Sequence, residues 1–417
     1  MKDDTKAKKE TTKALKTMVE STQLFNINQM ILESKTCFDS VLGQIKLQMV
    51  EFLLFSEREQ IAGPDYAPKD GIQKWGSQPG SVYVGGERLK VSKPRLRSQG
   101  QEVPLSIYEM LKDRSQFSQE LLLKVLSGIS TRNYQGSLHY LLDAFGISKS
   151  SVSRHLVEAT TKQLKELKER LLEGFEPFAI LIDGYHMCGK VFIVGLGIDV
   201  NGKKQVLGFW EGATENHAVC QGLLNSLERR GLNLGDEVMY ITDGGSGVIK
   251  ALKEKHGEKL IHQRCTLHKG RNVQNHLPKK YRPEAHERYK RAINCQKLED
   301  AKAELKKMER WLEEINPSAA ESLKEGQNEL LTVHRLEVTP LLRKTLQTTN
   351  PIESMFASAS HGKRNLKNAT GKNVAQRWMG ASLLYAESKF RTVKGHLLIN
   401  EVRDKIKAYQ ERLKEVA

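Results

Sequence analysis

Residues 177–200 read PFAILIDGYHMCGKVFIVGLGIDV, and the fold follows from how this stretch is read. Its first half crowds Phe178, Ala179, Ile180, Leu181 and Ile182 into one apolar run, the texture of a buried strand. Asp183-Gly184 then ends the run where such a strand would surface, and a carboxylate at a strand end is a candidate ligand. Residues 190–199 are again rich in Val, Ile and Gly, and Asn201-Gly202 turns them into the run 204–210. Tight polar turns thus join three antiparallel strands, with an acid on the first.

Further along, Ala213-Thr214-Glu215-Asn216 can begin a helix that carries Val219, Leu223, Leu224 and Leu227 on one face and ends by Gly231. Residues 237–245, EVMYITDGG, form a short apolar strand that delivers Asp243 at its end. The order β-β-β-α-β puts this fourth strand parallel to the first, so Asp183 and Asp243 are expected side by side. A fifth strand is expected within 257–263, leading into RCTLHKGRN at 264–272. There Cys265 and His268 share one helical face. They could bind a metal, although zinc needs about four ligands and no second pair stands nearby in sequence, or they could pack and organise polar groups. Thr348-Thr349-Asn350-Pro351-Ile352-Glu353 reads as a helix start, with Thr349 or Asn350 as cap and Pro351 in first position, which holds Glu353 on a rigid first turn.

The remaining segments divide by texture. Residues 1–60 read as an N-terminal helical arm in which Phe38, Val41, Leu42, Ile45, Met49 and Phe52 recur at helical spacing, as a core stripe or as an oligomerisation surface. Residues 61–105 form a small basic β or linker region, where 81–84 and 88–91 flank Gly85-Gly86 as a hairpin. The Lys93-Pro94-Arg95-Leu96-Arg97 that follows is either a ribbon touching DNA backbone or a solvated linker. Residues 106–174 hold a helix-turn-helix pattern: Leu138, Leu141 and Leu142 on one helix, a turn at Gly146, and a second helix whose Val152 and Leu156 point back. Its open face offers Lys149, Ser150, Ser151, Ser153 and Arg154 to phosphates or base edges. A catalytic domain is expected at 175–275 and 347–395, interrupted by a helical block at 276–346 and followed by a C-terminal helix at 396–417. Trp311 lies beside the apolar stripe of that block, as core or as a platform for an unpaired base. Lys269 and Arg271, with Lys363 and Arg364 in a second basic stretch, are candidates for phosphate contact.

Lysine and arginine number 66 against 50 acidic residues in 417, a formal charge of +16. An excess of that size suggests a polyanionic partner, most simply nucleic acid, although charge alone also fits a ribosome-associated or anionic-surface protein. No stretch is apolar and long enough for a membrane span, and residues 1–20 lack the core of a secretory signal. Five cysteines, irregularly placed at 37, 188, 220, 265 and 295, make no disulfide framework. The expectation is a cytoplasmic, nucleoid-associated protein with no membrane partner.

Two aspartates on neighbouring strand ends and a glutamate on a helix can share a pair of divalent cations, Mg²⁺ or Mn²⁺ because the ligands are hard oxygens. One ion activates a water or a 3′-hydroxyl and the other stabilises the leaving oxygen of a phosphoryl transfer. IDG at 182–184, ITDGG at 241–245, CTLHKGRN at 265–272 and TTNPIES at 348–354 together resemble the Mutator-like bacterial transposases, the IS256 family, over about residues 75–400. The resemblance implies an α/β, RNase H-like catalytic domain with a mixed five-stranded sheet and a helical insertion before the final acid. It implies Asp183, Asp243 and Glu353 as a DDE triad, Cys265 and His268 as a site-shaping C(2)H motif, and Trp311 as a tryptophan of the insertion. Cleavage at the ends of a mobile element, strand transfer into target DNA, and a homodimer or higher oligomer that synapses two ends follow from the same resemblance. The competing readings are an RNase H-like nuclease that cuts without joining, and a transposase-derived DNA-binding regulator.

Overall fold

A 36-residue helix, α1 (Ile27–Ala62), opens the part of the chain described by the computed structural model: residues 27–64, 69–84, 87–113, 119, 122–123, 126, 149–363, 371 and 373–416. Contacts divide the chain into two units, Met1–Leu121 with Thr131–His155, and Leu122–Ser130 with Leu156–Ala417. In the first unit α1 is followed by an antiparallel sheet of β1 (Gln73–Val84), β2 (Glu87–Ser98) and β3 (Gln101–Val103), then by α2 (Ser106–Leu111). The expected hairpin is present and longer than its β-prone core, pairing Val84 with Glu87 and Gln73 with Arg97. Val50 and Leu54 of α1 pack with Val82, Leu89, Val91, Leu96 and Leu105, so the boundary expected near residue 60 runs through a shared core.

Side-chain partners explain why 93–97 is a strand here and not a linker. Lys93 Nζ lies 3.0 Å from Glu102 Oε1 and over the Tyr108 ring, Leu96 is fully buried, and Arg97 stacks on Trp75 at 4.6 Å. Leu105 gives α2 no side-chain cap. Glu57 of α1 does the work from a distance, accepting the Ser106 and Ile107 N–H groups at 2.6 and 3.1 Å, where a helix N-terminus favours an anion. The expected stripe on α1 behaves differently from a core stripe: Val41, Ile45, Met49 and Phe52 are exposed, Phe52 to 68 %.

Helix α3 (Lys149–Glu169) carries the chain into the second unit. Residues 134–148, where the first helix and turn of the expected helix-turn-helix would fall, lie outside the described residues. The stretch 177–200 then forms β4 (Pro177–Met187) and β5 (Lys190–Asp199), followed by β6 (Lys204–Gly212), α4 (His217–Arg229), β7 (Met239–Thr242), α5 (Ser246–His256) and β8 (Ile261–Arg264). Their order in the sheet is β6-β5-β4-β7-β8, with β4, β7 and β8 parallel and β5 antiparallel to both β4 and β6. This mixed five-stranded α/β arrangement is compatible with an RNase H-like fold.

Strand β4 does not end at Asp183. Cys188 and Gly189, at φ 54° and 73°, make a tight left-handed turn matched to strand twist, and the β4–β5 hairpin therefore stays paired to Met187 opposite Lys190. Asp199 braces the next turn by accepting the N–H groups of Asn201 and Lys203 at 2.9 and 2.7 Å. Alternation sends Ile180 and Ile182 into a cluster with Leu207, Leu223, Leu227 and Leu252. Each such fully buried side chain contributes roughly 1.5–3 kcal/mol relative to an exposed one.

After β8 come α6 (Thr266–Asn275), α7 (Arg282–Asn294), α8 (Leu298–Ile315), α9 (Pro317–Lys324), α10 (Gln327–Leu330), α11 (Thr332–Arg335) and α12 (Pro340–Leu346). They enclose their own cluster, including Tyr289, Leu305, Leu312 and Leu323. The chain returns to the sheet through α13 (Asn350–Lys363), which packs on β4, and α14 (Val374–Glu387), which packs on β6, and it closes with α15 (Ile399–Val416).

Candidate active site

Parallel pairing of β4 and β7 matches Ile182 to Thr242, so Asp183 and Asp243 are the next residues on adjacent strands. Asp243 begins the turn into α5, while Asp183 is still paired with Val194 of β5. A strand end therefore exists at Asp183 only on the β7 side. Asp183 Oδ1 accepts the Gly184 N–H at 2.8 Å, and Asp243 Oδ1 accepts the Gly245 N–H at 2.9 Å. Burial, reinforced by the charge of Asp243, raises the Asp183 carboxyl to about 7. Two like charges held together in this way favour a cation between them.

Glu353 stands on the first turn of α13, its N–H bonded to the Thr349 carbonyl at 3.0 Å. Phe356, one turn on, meets Tyr185 of β4 at 4.8 Å between ring centroids. Since Tyr185 and Asp183 project from the same face of β4, this contact sets the Glu353 side of α13 over the Asp183 side of the sheet. Thr349 Oγ1 lies 2.9 Å from Glu353 Oε1 and 3.3 Å from both Cys265 Sγ and His268 Nδ1. A hydroxyl has one proton, so Thr349 donates to Glu353 or to Cys265 at any moment and accepts from His268.

His268 Nε2 is 3.6 Å from Glu353 Oε1. The hydrogen bond with Cys265 raises His268 to about 9 against the opposing effect of burial, and the charges of Glu353 and Asp183 add to the rise. Burial would lift the Cys265 thiol, but bonds from His268 and Thr349 outweigh it and bring the thiol below its ordinary value. Cys265 is fully buried, its N–H bonded to the Thr242 carbonyl at 2.7 Å. The pair thus ties the end of β7 to the start of α13. Among the described residues no three His, Cys, Asp or Glu side chains form a ready-made ion cage.

A further acid reaches the pair. Glu215 directly precedes Asn216, the cap of α4, whose Oδ1 accepts the Val219 N–H at 3.1 Å. A Cβ added to Gly184 would lie 3.0 Å from Glu215 Oε2, and one on Gly245 would lie 3.1 Å from Glu215 Oε1 and 3.4 Å from Asp243 Oδ1. Burial and the charge of Asp243 raise the Glu215 carboxyl. The sequence reading placed Glu215 only as part of a helix start; the signal available was an acid just before a capping Asn, together with glycines following both aspartates.

Residues 17–390 match the family described as Transposase, Mutator family. The chain belongs to the Mutator family of transposases. It is similar to the transposase for insertion sequence element IS6120 of Mycolicibacterium smegmatis, 27% identical over 310 residues that cover 72% of this chain and 93% of the relative. Similarity to the probable transposase for the ISRM3-like element of Sinorhizobium fredii is 24% identity over 394 residues, 87% of this chain and 94% of that one. The transposase for element ISRM5 of Rhizobium meliloti is 29% identical over 264 residues, 59% of this chain and 63% of the relative.

In this Mutator-family member the basic candidates fall into different environments. Lys269 does not face solvent: it is fully buried, with Nζ 3.0 Å from Glu325 Oε2, and Arg264 reaches the same carboxylate at 3.3 Å. Its position on α6 turns it toward the end of α9, so it braces the helices and is not a phosphate contact. Trp311 is half-buried, with Arg288 4.8 Å over its ring and the edge of Tyr281 at 6.4 Å, and it packs against the core of the helical block. Arg271 on α6, and Ser153 and Arg154 on α3, are exposed. Lys149, Ser150 and Ser151 form the first turn of α3, and Lys363 is the last residue of α13. Arg364 lies outside the described residues.

Proposed function

We propose that this transposase cuts double-stranded DNA at the ends of its mobile element and joins the freed 3′ ends to target DNA, by divalent-metal-dependent phosphoryl transfer at Asp183, Asp243 and Glu353. The observation that carries this reading is the register of β4 and β7, which makes Asp183 and Asp243 neighbours on adjacent strands. The donor set fits Mg²⁺ or Mn²⁺, because it consists of hard carboxylate oxygens and because the Asp183–Asp243 repulsion is relieved by a cation. Two bound ions would supply activation of the attacking oxygen and stabilisation of the leaving one. Asp183, within β4, and Asp243, directly after β7, would hold them together with Glu353. Thr349 and His268 hold the Glu353 carboxylate ready on α13, with the imidazolium supplying positive charge beside it.

The net charge of +16 supports a DNA partner, with Arg154, Ser153 and Arg271 among the exposed groups that meet it and Lys149, Ser150, Ser151, Lys363 and Arg364 as further candidates. The exposed stripe Val41, Ile45, Met49 and Phe52 supports a homodimer or higher oligomer formed through α1. None of the described helices is long and apolar enough to cross a membrane. Work on DNA would place the protein at the nucleoid.

Incubating the full chain with labelled element-end duplex, target duplex and Mg²⁺ or Mn²⁺ tests the proposal. Cleaved and joined products are expected from the parent and at least 100-fold less from Asp183→Asn, Asp243→Asn and Glu353→Gln, an order of magnitude set by loss of metal-assisted charge stabilisation. Variants that cut and join as well as the parent would overturn the triad. Cleavage without joined product would make the protein a nuclease.

A further inference from the structure

Strands β1 and β2 carry Lys74, Arg88, Lys90, Lys93, Arg95 and Arg97 against a single acid, Glu87. We propose that the face of this hairpin turned away from the α1 core is a DNA-backbone contact surface centred on Trp75 and Arg97, and that it extends the contact made by the start of α3. The inference rests on the reading that the protein binds DNA and is independent of the metal chemistry.

The direction of the side chains sets this face apart. Val82, Leu89, Val91 and Leu96 enter the core shared with α1, so alternation turns Tyr83, Arg88 and Lys90 the other way. Two contacts agree: Arg88 Nη2 donates to Ser81 Oγ across the strands at 3.2 Å, and the Tyr83 ring meets that of His155 in α3 at 6.3 Å between centroids. His155 directly follows Ser153 and Arg154, the exposed groups of α3 offered to DNA. The outer face of the hairpin and the start of α3 therefore adjoin, within one unit of the chain. From Gln73 to Tyr83 the paired strands span roughly 33 Å, close to the ~34 Å of one duplex turn.

A bulge aims the central residue. Between the pairs Lys74–Leu96 and Ser77–Pro94, Trp75 and Gly76 stand opposite Arg95 alone, and Gly76 takes the left-handed conformation of such a bulge at φ 73°. Trp75 is left 48% exposed. Arg97 stacks on its indole at 4.6 Å, and the Arg97 Nε is buried with no hydrogen-bond acceptor among the described residues. A phosphate met by a turn of that guanidinium supplies the acceptor, and the indole packs against the deoxyribose beside it.

Charge separates the two faces. Lys74 is held by Glu59 at 2.7 Å, and Lys93 and Arg95 by Glu102 at 3.0 and 3.7 Å. Arg88, Lys90 and Arg97 have no ion-pair partner among the described residues, so the cations left for an anionic partner are those of the outer face. Lys90, Ser92, Pro79 and Ser77 are exposed along it, and β1 contributes no acid. A long basic strip without a base-reading pocket suits the repeating phosphates of a duplex.

The test is fluorescence anisotropy of labelled element-end and unrelated duplexes titrated with the full-length chain in EDTA over a range of salt, for the parent, Trp75→Ala, Arg97→Gln and Arg154→Gln. Arg97→Gln should weaken binding to both duplexes roughly fivefold and lower the slope of log affinity against log salt by about one. Trp75→Ala should weaken both by roughly the same factor with a smaller change of slope. Equal thermal unfolding temperatures establish that the variants are folded. Affinities of Trp75→Ala and Arg97→Gln within twofold of the parent, with Arg154→Gln impaired, overturn the hairpin surface and leave the DNA reading intact. A parent that binds neither duplex overturns the DNA reading itself. Loss of self-association in DNA-free Trp75→Ala by light scattering, with DNA affinity unchanged, overturns the proposal and gives this face to a second copy of the chain.

Discussion

Asp183 bears the main electrostatic cost of the site. Its folded-state value of about 7 lies above the ordinary 3.8, so between these values the folded chain binds more protons than the unfolded one. Stability is then fully retained at acid pH and declines as pH rises through about 7. Asp183→Asn, kept in EDTA, is expected to be more stable than the parent above pH 7 by on the order of 3 kcal/mol, with the gain vanishing near pH 4. Thermal unfolding across that range measures it, and a pH-independent difference would show that burial and Asp243 do not set the Asp183 value. At this scale the two aspartates were legible in sequence, because an apolar run ending in Asp-Gly is a local pattern. The joint hold of Thr349 on Cys265, His268 and Glu353 was not, since it joins residues 84 apart.

Helix α6 illustrates the same limit for an element. Its CTLHKGRN sequence is basic, and a basic run reads as a phosphate-binding face, yet the helix turns Lys269 inward to Glu325 and Arg271 outward. Composition reports charge and not direction. Removing the Glu325 charge leaves a buried ammonium without its ion-pair partner, with only the lesser effect of Glu329 to offset it. Glu325→Gln is therefore expected to destabilise the protein by roughly 2 kcal/mol, below the figure for pairs buried at both ends because Glu325 is 66% exposed. Adding Lys269→Met should restore most of that loss in urea denaturation, and Lys269→Met alone should leave DNA affinity unchanged. A weakened affinity would return Lys269 to the DNA-contacting surface. Strand β4 departs from its expected end for a related reason: hydrogen bonding to β5 carries it four residues beyond Asp183, which the Asp-Gly pair in isolation does not signal.

For the whole molecule, the proposed work on two element ends requires copies of the chain to meet. Helix α1 is apolar on more than one face, burying Val50 and Leu54 and leaving Met49 and Phe52 exposed to 63% and 68%. If that second face joins copies of the chain, Met49→Glu with Phe52→Glu should yield a 47.2 kDa monomer by light scattering, with end binding retained and joined product lost. An unchanged oligomer would assign assembly to another surface. The sequence by itself determined the strand and helix order of residues 177–264, the adjacency of the two aspartates and the helix start that carries Glu353, because periodicity, turns and caps act over a few residues. Only the tertiary structure decided that β4 runs on past Asp183, that Lys269 is internal, that Trp311 packs against the helical block, and that Glu215 comes near the acids, because each depends on which side chains meet across the sheet or between helices. The stretch 177–200 supplies the strand on which Asp183 sits, and its neighbours in space decide what that carboxylate can hold.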